Sequence, residues 1–296
     1  MFTIPVGIEF FDEIRKSGSY YVDKSELIYD LLTSTTNKVT LFTRPRRFGK
    51  TLTMSMIESF FDINRDSQEM FRGLAVTKHQ DFCRAWMNKY PVAFVSFKDV
   101  EASHFDVAYG KLADTIANLC KKMPYLAESG RVNKADVEIF NRLMYRKGDM
   151  VDIQGSLLTL TRMLHAQFNQ NVILLIDEYD VPLAKANENG YYSQMLEVIR
   201  GMMSAGFKTN PFLQFAVITG CLYVAKASIF TGTNNFKAYS VLDERFSQYF
   251  GFTQAEIDEI LKAAGIPEQS DLIRDWYDGY VFGPTRFSVL GMRQTM

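Results

Sequence analysis

Arg44-Pro45-Arg46-Arg47-Phe48-Gly49-Lys50-Thr51 is the stretch whose residue types and spacing could do chemistry on phosphate. The pattern for a phosphate-cradling loop is GxxxxGK[ST], and the stretch meets it except that Arg44 stands at the first glycine. Each remaining element answers a physical need. Gly49 lets the backbone approach an anion and adopt a conformation that a side chain resists. A helix starting near Lys50 offers unpaired N–H groups and the positive end of its dipole. Lys50 can reach the β- and γ-phosphates as a point charge, and the Thr51 hydroxyl is a natural magnesium ligand. The expected nucleotide contacts are Arg46, Arg47, Phe48, Gly49, Lys50, Thr51 and Leu52. Taken alone, the Gly-Lys-Thr triplet reads equally well as a helix cap with a solvated lysine. The three arginines add charge around phosphates, face a partner, or form a solvated basic turn.

A second stretch decides between these readings. Val172-Ile173-Leu174-Leu175-Ile176 runs straight into Asp177-Glu178, an apolar strand that delivers two carboxylates at its C-terminal end. In parallel sheets that end is where ligands bind. Asp177 is expected to hold magnesium together with Thr51. Glu178 is expected to act as general base on the attacking water. A strand running into a polar turn is common in any protein, so the weight lies in the conjunction of the two stretches in this order. A third strand ends at Thr219-Gly220, where Thr219 could sense the γ-phosphate or simply end a strand.

The elements that must position these residues are legible in outline. Asp23 is a plausible N-cap with Glu26 behind it and Leu27, Ile28, Leu31 and Leu32 at helical spacing. Strands are expected at Val39–Thr43, Val92–Phe97, Val172–Ile176 and Phe212–Thr219, with a fifth near Gln248-Tyr249-Phe250. Helices are expected from about Lys50 to Phe61, over much of Asp106 to Phe168, and from about Ser193. Alternation of strands and helices argues for an α/β fold with a mostly parallel sheet. Beyond Thr253 the pattern turns helical (Ala255, Ile257, Ile260, Leu261), and Asp278-Gly279 could close a small hairpin. The chain thus divides into residues 1–252 and an extension, 253–296.

Bulk properties exclude some classes of function. The chain has 296 residues, 47% of them hydrophobic, and a net charge of -1. That near-neutral balance counts against gripping DNA by bulk electrostatics. Cys83, Cys120 and Cys221 are too scattered for a zinc site, as are His79, His104 and His165. The start shows no secretory signal, and apolar runs of about six residues fall far short of the ~18 that suggest a membrane span. A cytoplasmic location is the default expectation.

With these motifs in place, the chain resembles the bacterial and archaeal AAA-ATPase-like family, in which such a domain usually precedes a nuclease-like domain of the PD-(D/E)XK superfamily. The matching stretches are GIEFFDEIRKSGSYYVDKSELI, TRPRRFGKTLTMSMIESFF, LLIDEYDVPL, ITGCLYVAKASIFTGTNNF, LDERFSQYFGFT and WYDGYVFG. The resemblance implies a P-loop NTPase three-layer sandwich with a five-stranded sheet of the additional-strand, catalytic-glutamate type and a helical C-terminal extension. It implies ATP and Mg2+ as ligands, with nucleotide roles on Gly49, Lys50, Thr51, Asp177 and Glu178 and Thr219 as sensor. It makes Arg44 the family's own habit and places Asp23 and Lys24 beside the adenine.

Two departures stand out. Tyr223 occupies a position where relatives tend to carry arginine, leaving Arg245 as the remaining arginine candidate or as a member of a surface ion pair. No later Asp and Glu-x-Lys constellation follows, so the chain reads as a truncated or split member that does not cut DNA by itself. The expected function is Mg-dependent ATP hydrolysis that drives a conformational change in a partner or on DNA. The alternative is a nucleotide-gated switch with negligible turnover.

Overall fold

The computed structural model describes residues 3–5, 7–33, 37–221, 229–230, 235–272, 278–282 and 285–288. Its centre is a five-stranded sheet of β1 (Val39–Thr43), β2 (Val92–Ser96), β3 (Val172–Asp177), β4 (Leu213–Gly220) and β5 (Phe236–Tyr239). The spatial order is β2-β3-β4-β1-β5, and every neighbouring pair is parallel. All C-terminal strand ends therefore share one edge. β4 lies between the strand that precedes the phosphate-type loop and the strand that carries the acids.

Successive side chains on a strand point to opposite faces, and the interior of the sheet is apolar on both. Val39, Leu41, Leu174, Ile176, Ala216 and Ile218 enter one core. There they meet α6 (Phe105–Lys121), α8 (Met150–Phe168) and α10 (Tyr192–Phe207) through Leu112, Ile116, Leu157, Leu160, Met195 and Ile199. Phe42, Ile173, Leu175, Phe215 and Val217 enter the other. That face is covered by α2 (Glu26–Thr33) and α3 (Lys50–Phe61) through Leu27, Ile28, Met54, Ile57, Phe60 and Phe61. Further helices among the described residues are α1 (Phe11–Ser17), α4 (Gln68–Phe71), α5 (Gln80–Trp86), α7 (Lys134–Met144) and α9 (Val181–Glu188).

The fifth strand is not where the apolar pattern puts it. Gln248 and Tyr249 belong to a 3-10 turn, and Phe250 packs on Phe42 with ring centroids 5.1 Å apart. Tyr249 and Phe250 are aromatic because they fill the core beneath the loop, not because they pair. The strand is Phe236–Tyr239, an edge strand with Lys237 exposed, whose polar content hides it from a periodicity argument. Asp23 is not an N-cap either. α2 starts at Glu26, and the Asp23 carboxylate instead accepts from the Ser25 N–H at 2.8 Å and from the Ala75 N–H at 2.6 Å.

The extension opens with α11 (Gln254–Ala264), started by a capping box in which Thr253 and Glu256 satisfy each other's backbone donors. It is not purely helical. Phe252–Thr253 (β6), Asp278–Phe282 (β7) and Thr285–Ser288 (β8) form an antiparallel sheet in the order β6-β8-β7. Phe282 faces Thr285 across the hairpin, so Asp278-Gly279 begin a strand and do not close the turn. Among the described residues no helix is long and apolar enough to cross a membrane.

Candidate functional site

The loop between β1 and α3 is anchored from below and open above. Phe48 is buried in the core under the sheet, and its carbonyl accepts from the Gly251 N–H at 3.2 Å. Gly49 follows at φ 73 and ψ 20, the left-handed region that a side chain disfavours, with open space where a Cβ would stand. It precedes α3, whose first turn contains no acid and receives no side-chain cap. The amide donors at that helix end are thus left for an anion.

The three loop arginines separate. Arg46 and Arg47 are exposed, whereas Arg44 is fully buried. Its Nη1 donates to the carbonyls of Thr43 at 2.9 Å and Tyr239 at 3.0 Å, and its guanidinium lies 5.0 Å from the Phe250 ring centre. Burial lowers its pKa to about 10, against an upward pull from Asp243. At the position of the missing glycine, Arg44 is a strut that ties the loop to β5 and to the chain beyond it. Leu52 is half-buried and packs toward the same core.

The acidic strand meets this loop through a threonine on each side. Asp177 is buried, its Oδ2 accepting from Thr51 Oγ1 at 2.7 Å and its Oδ1 from Thr219 Oγ1. Lys50, also buried, curls back over the loop. Its Nζ donates to Pro45 O at 3.1 Å and to Cys221 Sγ at 3.3 Å, and stands 3.5 Å from Glu178 Oε1. Glu178 follows the strand at φ 54. Burial pushes its carboxyl up, Lys50 pulls it down, and Asp177 and Asp180 push it up again.

Asp180, Gly220 and Cys221 carry no motif signal of their own in LLIDEYDVPL and ITGC, yet the fold gives each a part. The Cys221 N–H donates to Asp180 at 3.1 Å. A Cβ on Gly220 would stand 2.4 Å from Asp180 Oδ1 and 2.6 Å from the Tyr179 ring, so only glycine lets β4 pass this close to the acidic turn.

On the other side of Thr51 opens a cleft of about 340 Å³ between α3 and β2. Thr51, Ser55 and Glu58 line it from the helix, Phe94 and Ser96 from the strand, and Lys98 from just beyond the strand. Lys24, which the resemblance places beside the adenine, pairs with Glu256 at 2.5 Å and donates to Gln248 O at 2.6 Å. Arg245 is exposed over the Phe246 ring, and Tyr223 lies outside the described residues.

A hydroxyl and a carboxylate, Thr51 and Asp177, are the hard oxygen donors that magnesium takes. Among the described residues no cluster of three or more His, Cys, Asp or Glu forms a metal cage. A cation here would need further oxygens from a phosphate, which is how magnesium enters sites of this type. The donor set therefore fits a magnesium–nucleotide ligand.

Comparison with known proteins points the same way. A family model described as "Predicted AAA-ATPase" matches residues 5–230. Over 279 residues, 94% of this chain, the sequence is 29% identical to an "Uncharacterized protein in vnfD 5'region" of Azotobacter chroococcum mcd 1. The chain spans about half of that relative, 48% of its length.

Proposed function

Because the chain belongs to the AAA-ATPase-like family, we propose that it binds ATP with magnesium at the β1–α3 loop and hydrolyses it. The family points to ATP binding and hydrolysis in general. The observation that carries the specific reading is the arrangement Thr51–Asp177–Thr219 beside the Lys50–Glu178 pair at one sheet edge. The sheet order, with β4 between β1 and β3, supports a P-loop core of the additional-strand, catalytic-glutamate type. In this reading residues 1–252 form the nucleotide domain and 253–296 its extension.

The residues divide the work by chemistry. The amides from Gly49 into α3 take the phosphate oxygens, and Lys50 leaves Glu178 and Cys221 to meet the β- and γ-phosphates. Thr51 and Asp177 would hold a magnesium ion, which would supply positive charge to the phosphate oxygens. Thr219 keeps the Asp177 carboxylate turned toward the loop. Glu178, once Lys50 moves away, is a half-buried carboxylate with a raised pKa, suited to accept a proton from the attacking water. The exposed Arg46 and Arg47 remain at the mouth of the site. The output of hydrolysis is a conformational change passed to a protein partner or to DNA.

A second reading has one observation in its favour. Lys50 and Glu178 are paired with each other, so both functional groups are tied up until a phosphate separates them. A chain in which ATP separates them but turnover stays negligible would be a switch. Phosphate release and nucleotide affinity of Glu178→Gln tell the two apart. An ATPase loses release by about 100-fold or more while keeping its affinity. Equal, slow release from wild type and variant would leave the switch, and loss of binding in neither Lys50→Ala nor Thr51→Ala would remove both readings.

A further inference from the structure

Resting on this nucleotide reading, we propose that Lys98 is a further catalytic group: the cation that meets the γ-phosphate from the β2 side. β3 is flanked by β4 and β2, and a lysine lies on each of these two sides, Lys50 of α3 on one and Lys98, which follows β2, on the other. From the β4 side comes Lys50, held by Cys221 just after that strand. On the β2 side Ser96 is in register with Asp177, and the Phe97 N–H donates to Asp177 O at 2.9 Å. The chain thus leaves β2 alongside the buried carboxylate, and Lys98 is the next residue. It shares the cleft of about 340 Å³ with Thr51 and Ser96, a space large enough to admit a phosphate group and its hydration.

Lys98 is also free to move. Its ion partner is Glu9 at 3.2 Å, with the two side chains 50% and 56% exposed, a pairing that water and salt weaken. The other cations of the cleft are spoken for or remote. Arg65 pairs with Glu58 at 2.9 Å at the far end, where Lys122 also lies. Arg44 is locked beneath the loop. Asp177, Glu178 and Asp180 gather at this sheet edge and the γ-phosphate brings more negative charge beside them, so a cation from the β2 side adds to what Lys50 and magnesium supply. A cation placed at the phosphoryl group stabilises the charge that spreads over its oxygens during transfer.

The test separates this inference from the reading it rests on by comparing ATP with ADP. Affinities for Mg·ATP and Mg·ADP are measured by titration calorimetry on wild type, Lys98→Ala, Lys98→Arg and, as a control within the cleft, Lys122→Ala. Lys98→Ala is expected to lose about tenfold or more in ATP affinity with its ADP affinity unchanged. Lys98→Arg should recover most of that loss, and Lys122→Ala should show none. Single-turnover phosphate release should fall by roughly 100-fold in Lys98→Ala. Weakening of both nucleotides alike, or of neither, overturns the assignment of Lys98 while leaving the nucleotide site standing. If wild type binds neither nucleotide, the site and the role of Lys98 fall together.

Discussion

Asp177 sits under two hydroxyls, whereas Glu178 faces one ammonium. Burial raises the pKa of Glu178, with Lys50 opposing. A general base works only when ionised, so phosphate release should rise with pH as Glu178 loses its proton. That limb should lie above the ordinary glutamate value. The check is a pH profile of single-turnover release; a profile flat across the acid range would remove Glu178 as base. At the same scale, Gly220 is a packing requirement. Its substitution by alanine drives a Cβ into Asp180 and Tyr179, both nearly or fully buried and unable to give way. Gly220→Ala should cost about 1–3 kcal/mol in a urea titration, the range for forced overpacking. Stability equal to wild type would mean that the turn after β3 yields more readily than its packing implies.

Among the elements, α3 and α11 start by opposite devices. α3 begins at a glycine with no side-chain cap, which leaves its amides open for an anion. α11 begins with Thr253 and Glu256 closing a capping box. Glu256 also holds Lys24, so the start of α11 is tied to the segment that leads into α2. Thr253→Ala should therefore destabilise the protein by about 1 kcal/mol through the lost cap, read as a lower denaturation midpoint. Nucleotide affinity should not change, since the Thr253 and Glu256 side chains bond each other's backbone and Lys24, not the phosphate loop. A changed affinity would show that the extension communicates with the site through Lys24. β5 makes the complementary point. It is short and carries the charged Lys237, and it exists as a strand because β1 offers it a partner edge and Arg44 holds its last carbonyl.

For the whole molecule, ligand binding at the sheet edge touches α3 on one face of the sheet and β3 and β4 through its middle. Both apolar cores share those strands. A ligand that binds only the folded chain should then stabilise it as a unit. At a concentration ~100 times Kd the gain is about 2.7 kcal/mol, a rise in Tm of several degrees for a chain of this size. A shift with Mg·ATP that Lys50→Ala abolishes is the expected result; a shift that survives in Lys50→Ala would place the ligand elsewhere. The local patterns were legible without coordinates. RPRRFGKT, the apolar run into Asp177-Glu178 and the threonine ending β4 are short-range signals, set by what a strand end, a tight turn and a helix start require of their own residues. β1, α3 and β3 accordingly lie where the patterns put them. Contacts between segments distant in the chain were not legible. That Arg44 is a buried strut rather than a phosphate ligand depends on Tyr239 and Phe250 arriving beneath it. That the fifth strand is Phe236–Tyr239 depends on which segment reaches the free edge of β1. Burial and pairing are properties of neighbours brought together only by folding, and a one-dimensional pattern records a residue's own preference but not who its neighbours will be.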